Sequence, residues 1–340
     1  MSGKKFIVSI LILSGIAALI CFFYFNSFDK RMQKITENFK TYVLDDSSQS
    51  VNSIHVQYIK KDDYLMMSAK KGWQCRISNT MSMFINAFNL VRDQIDTDFT
   101  LDIETDDFCN ISYRLAYAYR DVEGDYGIPD FAFVNWPEVG IKDYDITCKE
   151  IEEAGKKPYI YNKLFWIGNA STNEIRGKLV QKGKNNDNYE FIAMNWQPQE
   201  LVKDKLEIHP ADRYVSLPDH AQYKYLIDVI GIGYSSRVKM LMFTGRPLFY
   251  VKRNVEEYYF KDLKPFVHYI PVEADLSDLD EKYKWAEEHP EEAQKIAQNA
   301  LDYAKTHLTL KAATLDFAQT ILKYVEDQKA QQQKPKFLPY

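Results

Sequence analysis

Hydrophobic and polar positions follow three regimes along this chain. The first is Phe6–Phe25, FIVSILILSGIAALICFFYF, a run with no formally charged residue. About 20 such residues suffice to cross about 30 Å of hydrocarbon as a helix. The run ends in bulky Phe22, Phe23, Tyr24 and Phe25 rather than in the small-x-small exit site of a cleaved leader. It predicts an uncleaved single-pass anchor, with the membrane as a partner and the rest of the chain as a body on one side. Lys4 and Lys5 precede the run and Lys30, Arg31 and Lys34 follow it. That near balance leaves the orientation open: the body would face the Golgi or ER lumen in a eukaryote, or sit at the inner membrane in a bacterium.

The second regime is mixed. Phe28, Met32, Ile35 and Phe39 recur three or four apart and predict an amphipathic stem helix over Ser27–Tyr42, followed by a polar break at Asp45–Ser53. Met81–Val91 predicts a helix with Met83, Phe84, Phe88 and Leu90 inward. Phe131–Val134, after Pro129 and Asp130, predicts a short buried strand. Tyr144–Lys157 is charged, closes at Gly155 and Pro158, and predicts a crossing between domains.

In the third regime strand and helix patterns alternate. Strands are predicted at Lys163–Trp166, Phe191–Met194, Tyr225–Ile230, Leu248–Val251 and Val267–Val272. Between and after them come a turn at Gly168–Thr172 and helices at Asn173–Gln181, Ser235–Phe243, Ser277–Glu288, Glu291–Lys305 and Thr314–Glu326. Such alternation implies a parallel sheet with right-handed crossovers, which binds ligands at the carboxyl ends of its strands. From Gln328 the tail is polar and predicts disorder.

Composition narrows the classes. Hydrophobic residues at 46% and charged residues at 27% exclude a mostly disordered chain, and 13 Gly with 12 Pro exclude a collagen-like one. A net charge of −5 offers no global attraction to polyphosphate, so no nucleic-acid partner is expected. The four cysteines, Cys21, Cys75, Cys109 and Cys148, form neither a disulfide scaffold nor a C-x-x-C zinc pair. Asp96-Thr-Asp98, Asp143-Tyr-Asp145 and Asp278-Leu-Asp280 match a D-x-D metal motif, but two or three chance matches are roughly expected in so acidic a chain, so they read as surface acids and no metal site is assigned.

The most informative segment is Tyr225–Leu241. A strand is followed by Gly231-Ile-Gly233, Tyr234, Ser235, Ser236 and Arg237, then a helix. Two glycines allow a tight turn; amides at a helix start, two hydroxyls and a guanidinium can together hold a diphosphate. An ordinary capped helix, with Ser235 as cap and Arg237 on the surface, is the competing reading.

The wider pattern adds weight. Leu217-Pro-Asp-His-Ala-Gln-Tyr-Lys-Tyr-Leu, Gly231–Arg237, Leu263-Lys-Pro-Phe-Val-His-Tyr-Ile-Pro-Val, Asp275-Leu-Ser-Asp-Leu and Glu291-Glu-Ala-Gln-Lys-Ile-Ala follow one another in an order that resembles glycosyltransferase family 90. That family includes protein O-glucosyltransferases, capsule xylosyltransferases and lipopolysaccharide-modifying enzymes. The resemblance covers Phe165 to His307, with an echo in Ile128-Pro-Asp-Phe-Ala-Phe-Val-Asn-Trp-Pro-Glu. It implies an α/β chain of two Rossmann-like domains, GT-B in type, behind the membrane helix. The implied division is an anchor (1–26), a stem (27–54), an acceptor-side domain (55–157), a nucleotide-sugar domain (158–310), a C-terminal helix (311–327) and a tail (328–340).

The implied activity is inverting, metal-independent transfer of glucose, xylose or a related sugar from a UDP-sugar to a hydroxyl of a glycan, lipopolysaccharide or protein. No cofactor beyond the donor is implied. The donor diphosphate would lie on Gly231, Gly233, Tyr234, Ser235, Ser236 and Arg237. The family's second donor loop corresponds to Phe165-Trp-Ile-Gly-Asn-Ala-Ser, where Ile167 stands in place of the usual arginine. Asn169, Ser171, Thr172 and Arg176 are the candidates to compensate, with Gly168 a further donor-binding residue of the same loop. The family's catalytic Asp falls at Asn135, and an amide cannot accept the acceptor's proton. Asp130 and Glu138 are the nearest carboxylates, Glu138 as a replacement base and Asp130 as a fixer of the chain there. A chain that has lost its base would instead be a membrane-tethered binding protein. His268 is read equally as a donor-site or a structural histidine, Glu256 and Glu257 as candidates for ribose hydroxyls or an exposed helix start, and Lys224 as solvated.

Overall fold

Runs of β-branched and aromatic residues, each closed by a charged or turn-forming residue, build two sheets. The computed structural model describes residues 40–44, 53–70, 74–107, 114–118, 124–184, 186–194 and 213–333. Phe6–Phe25, most of the predicted stem and residues 334–340 lie outside them. No helix among the described residues is long and apolar enough to cross a membrane.

The first sheet holds β1 (Lys40–Leu44), β2 (Ser53–Ile59), β3 (Tyr64–Lys70), β4 (Phe99–Glu104), β5 (Arg114–Ala116) and β6 (Asp125–Gly127), in the order β1-β3-β2-β4-β5-β6. It is mixed: β2 runs antiparallel to β3 and β4, while β1 is parallel to β3 and β4, β5 and β6 are parallel to one another. In β2 every second residue, Ile54, Val56 and Tyr58, is buried. Helix α1 (Gln74–Val91) covers that face, with Phe88 meeting Tyr58 and Phe99.

Three expectations fail in this half. Leu90, expected inward, lies on the exposed face of α1. Lys40–Leu44 is a strand and not the end of a stem helix; Thr41, Tyr42 and Val43 favour extended backbone once β3 offers an edge. Phe131–Phe133 is buried as expected but forms a 3₁₀ turn instead of a strand, because the Asp130 side chain accepts from the Ala132 N–H and starts a turn there.

The predicted crossing is a helix, α2 (Tyr144–Gly155), capped by Asp143, whose carboxylate accepts from the Ile146 N–H at 2.9 Å. It leads into the second sheet: β7 (Tyr161–Gly168), β8 (Tyr189–Ala193), β9 (Tyr223–Asp228), β10 (Leu248–Val251) and β11 (Ile270–Val272). All pairings are parallel, in the order β11-β10-β9-β7-β8. Every residue of β10 is buried, as in a sheet covered on both faces. The helices are α3 (Glu174–Gly183), α4 (Val238–Met242), α5 (Leu279–Glu288), α6 (Pro290–His307) and α7 (Leu310–Gln333).

Helix α7 runs past residue 328, where disorder was expected, to Gln333. It packs back on α1 and the edge of the first sheet: Phe317 meets Phe84 of α1, Tyr324 meets Tyr126 of β6, and Lys329 pairs with Asp96, just before β4, at 2.8 Å. Those partners lie about 200 residues or more upstream, so no local pattern announces them.

Gly155 closes α2 directly against the Thr244 backbone, and a β-carbon there would stand well inside contact distance of the Thr244 carbonyl. Gly155→Ala should therefore destabilise the fold by about 1–3 kcal/mol, the usual cost of overpacking. Urea denaturation of the two proteins checks it.

Candidate functional site

In the second sheet the chain order reverses between β7 and β9, since β8 lies outside β7 while β10 and β11 continue beyond β9. Ligands of such sheets bind outside the carboxyl ends at that reversal. Gly168 ends β7 and Asp228 ends β9, so both sequence-predicted loops open on this point.

Asp228 is fully buried. Burial by itself would raise its pKa; Arg253, Arg237 and Arg176 outweigh burial and hold it below the usual carboxylate range. Arg253 pairs with it at 2.9 Å and Arg237 at 3.0 Å, and the Ser235 hydroxyl donates to it at 2.9 Å. Arg176 forms no ion pair among the described residues. Its Nε donates to Ile230 O and its Nη1 to Asn169 O and Thr172 Oγ1, tying the β7 loop to the β9 loop. Burial, and then Arg237, push its pKa down to about 10. Three guanidiniums thus surround one contacting carboxylate, with Asp107 and Glu256 acting from further off on Arg176 and Arg253. The Trp166 ring lies beside Arg176 and Arg237, and its buried Nε1–H has no hydrogen-bond partner among the described residues.

Residues 234–237 turn alternately to two carboxylates. Ser235 and Arg237 face Asp228; Tyr234 and Ser236 donate to Asp130, Tyr234 at 3.2 Å. The two hydroxyls expected to hold a diphosphate therefore bond the protein's own acids. The helix is also shorter than predicted: Ser235–Arg237 precede α4, which spans only Val238–Met242. So short a helix contributes little dipole, and positive charge at this point comes from the arginines. Arg237 spends Nε and one Nη2 hydrogen on Asp228 and one Nη1 hydrogen on the Ile167 carbonyl. Of its five donors, one on each terminal nitrogen has no partner among the described residues.

Asp130 is not placed as a base. It is buried between the Ala132 N–H, Tyr234, Ser236 and the Lys239 ammonium, which pairs with it at 3.0 Å. Lys239 is itself fully buried and pairs at 2.6 Å with Glu257, whose other oxygen accepts from Tyr259 at 2.7 Å. The Lys239 pKa is lowered by burial but raised overall by Asp130 and Glu257. Glu257, read from the sequence as a ribose ligand or a solvated helix start, is neither free nor exposed. Asn135 stands where Asn79 of α1 donates to its carbonyl at 2.9 Å and to its Oδ1 at 3.2 Å. Glu138 is exposed, two residues before Gly140 in a tight loop closed by mutual bonds between Trp136 and Ile141.

Other expectations divide. Asn169 caps the Ala170–Thr172 turn by accepting from the Ser171 N–H and hydroxyl, so Ser171 is spent locally. Glu256 follows β10 and accepts from Tyr250 at 3.4 Å. His268 precedes β11, at the amino ends of the strands and away from the reversal. Its Nδ1 accepts from the Lys264 N–H at 3.0 Å, a structural role. Lys224 pairs with Glu287 at 2.6 Å. The D-x-D acids bond groups of the protein itself: Asp96 to Lys329, Asp143 as a cap, Asp145 to the Leu310 N–H, and Asp280 to Lys182.

Asp228, Arg253 and Lys239 were missed. The signal was a charged residue ending an apolar strand run (YLID), another just beyond LFYV, and a lysine inside VKMLM.

Glu257 has its pKa pushed up to about 7 by burial, against an ordinary 4.5. Between those values the folded chain holds a proton that the unfolded chain releases, so this contribution is complete below pH 4.5 and is lost as pH rises through 7. Thermal melts from pH 4.5 to 7.5 should show that decline in wild type and a flatter profile in Glu257→Gln. Lys239→Met, which strands two buried carboxylates, should cost about 3–5 kcal/mol at pH 7, measured by denaturant titration.

A family model described as glycosyl transferase family 90 matches residues 105–338. Protein O-glucosyltransferase 2 of Danio rerio is 34% identical over 165 residues, 48% of this chain and 33% of that protein. Protein O-glucosyltransferase 1 of Homo sapiens is 34% identical over 196 residues, 56% of this chain and 49% of that protein. The O-glucosyltransferase rumi homolog of Aedes aegypti is 34% identical over 168 residues, 49% and 42% of the two chains. The matched stretches thus span half or less of these relatives. A solved structure of Anabaena HepE in complex with UDP-glucose gives a TM-score of 0.32 at 13% identity over 55% of this chain and 46% of that one, too slight an overlap to bear on the fold.

Proposed function

Because the chain belongs to glycosyl transferase family 90, we propose that it transfers a sugar from a UDP-linked donor to a hydroxyl of a glycan or protein acceptor. The observation that carries this reading is the arginine cluster at the β7–β9 reversal. A leaving nucleoside diphosphate gains negative charge as the glycosidic bond breaks. Guanidiniums already fixed by Asp228 and by backbone carbonyls meet that charge with little reorganisation. In this reading the two remaining donors of Arg237 face the diphosphate, no metal takes part, and the overall architecture is GT-B in type. Phe6–Phe25 tethers the body to a membrane; its length and lack of charge support this.

The acceptor hydroxyl must also lose a proton. Asp130 is occupied by Lys239, which leaves exposed Glu138 as the nearest carboxylate to Asn135 in sequence. Glu138→Gln should lower transfer about a hundredfold with UDP binding intact; unchanged turnover would remove Glu138 from the mechanism. A second reading, a binding protein that has lost its base, is favoured by Asn135 alone. Asn79 would donate equally well to a carboxylate at that position, so Asn135→Asp should fold normally. A rise in transfer would mark a weakened enzyme, and no change a dedicated binder.

The donor assignment is tested by calorimetry with UDP and uridine. Arg237→Ala should weaken UDP binding by about 1.5–3 kcal/mol, roughly ten- to a hundredfold, and leave uridine nearly unchanged. Arg237→Lys, which keeps charge but not the fork, should fall between. Equal UDP affinity in all three would move the diphosphate elsewhere.

A further inference from the structure

Among the described residues Ile232 is one of the most exposed large hydrophobic side chains, at 67%. A lone exposed isoleucine on a mobile loop needs no explanation. This one sits on a turn pinned from both sides. From the second sheet, the Asn173 side chain donates to Gly231 O at 2.8 Å, Arg176 donates to Ile230 O at 2.9 Å, and the Gly231 N–H bonds Gly233 O at 3.2 Å. From the first half of the chain, the Asp107 carbonyl lies so close to Gly233 that no β-carbon fits between them, and Arg76 holds Asp107 at 2.7 Å. Glycine at 233 is thus a requirement of close approach.

The turn therefore fixes the backbone of Ile232 between Gly231, beside Arg176, and Gly233, against Asp107 of the first half of the chain. On one side, an Arg176 nitrogen lies 3.1 Å from where a β-carbon on Gly231 would be. On the other is Asp107. Given the donor reading above, on which this inference rests, a diphosphate occupies the arginine side. The sugar bonded to its terminal phosphate must then extend away from the arginines. A pyranose ring is polar at its rim and carries C–H groups on its faces, and an immobilised aliphatic side chain gains by covering such a face.

We infer that Ile232 is a specificity-determining contact that packs on the C–H face of the transferred sugar. It distinguishes the sugar nucleotide from the bare nucleotide. The hydroxyl-rich rim stays free for polar groups, and the arginines carry the phosphates.

The test is calorimetry on the full chain in detergent with UDP, UDP-glucose and UDP-xylose as probes. Ile232→Ser should weaken binding of the preferred sugar nucleotide about five- to tenfold, the scale of losing part of an apolar contact, while UDP affinity stays within about twofold. Ile232→Leu, which restores apolar area, should recover most of the loss. A parallel loss for UDP and both sugar nucleotides would overturn the inference by moving the contact to the nucleotide. Unchanged affinities for all three would overturn it outright. A wild-type chain that binds UDP but neither sugar nucleotide more tightly than UDP would refute the sugar contact and spare the diphosphate site, whereas failure to bind any of the three would refute the donor reading itself.

Discussion

A carboxylate with no access to water stays ionised only if cations surround it, and Asp228 is that carboxylate. Much of the site's geometry follows. Arg237 is drawn back from solvent toward β9, Arg253 is folded under the end of β10, and Ser235 is turned inward. Arg176 belongs to the same electrostatic group but is held by carbonyls of both loops. Among direct contacts of the described residues, one acid meets the arginines of this cluster.

A second buried acid does a different job. Asp130 comes from the first half of the chain, Lys239 and Glu257 from the second, and the three meet in the interior with Tyr234 and Ser236. Residues 234–237 therefore join two networks at once, one within the second sheet and one across the two halves. Rigid coupling is the consequence: a shift of Asp130 would be felt at Ser236, next to Arg237. The same arrangement explains why Asp130, read from the sequence as a fixer of the chain there, is unsuited to take a substrate proton. It already bonds an ammonium, two hydroxyls and a backbone amide.

Family membership and this geometry support each other without duplicating each other. The family model reaches from residue 105 to 338 and so includes the Asp107 contact, the arginine cluster and α7. The departures at Ile167 and Asn135 fall at places the fold treats differently. The Ile167 carbonyl is used by Arg237, so a side-chain change there leaves a backbone role in place. Asn135 is held by Asn79, a position equally suited to an amide or a carboxylate.

Local chemistry alone determined the strands of the second sheet, the helix after the β7 loop and the glycine turn after β9. Apolar runs, caps and glycines act within a few residues, so they are readable in order along the chain. The strand order that makes the reversal point, the return of α7 to the first sheet, the turn at Phe131 in place of a strand and the shortening of the helix after Arg237 were decided only by tertiary structure. So were the partners of each charge. A sequence shows that Asp130, Asp228, Lys239, Arg176 and Arg253 are ionisable, but pairing depends on which groups are buried together across 9 to 109 residues of separation. The free energy of a buried charge is set by its neighbours in space, and those exist only once the chain has folded.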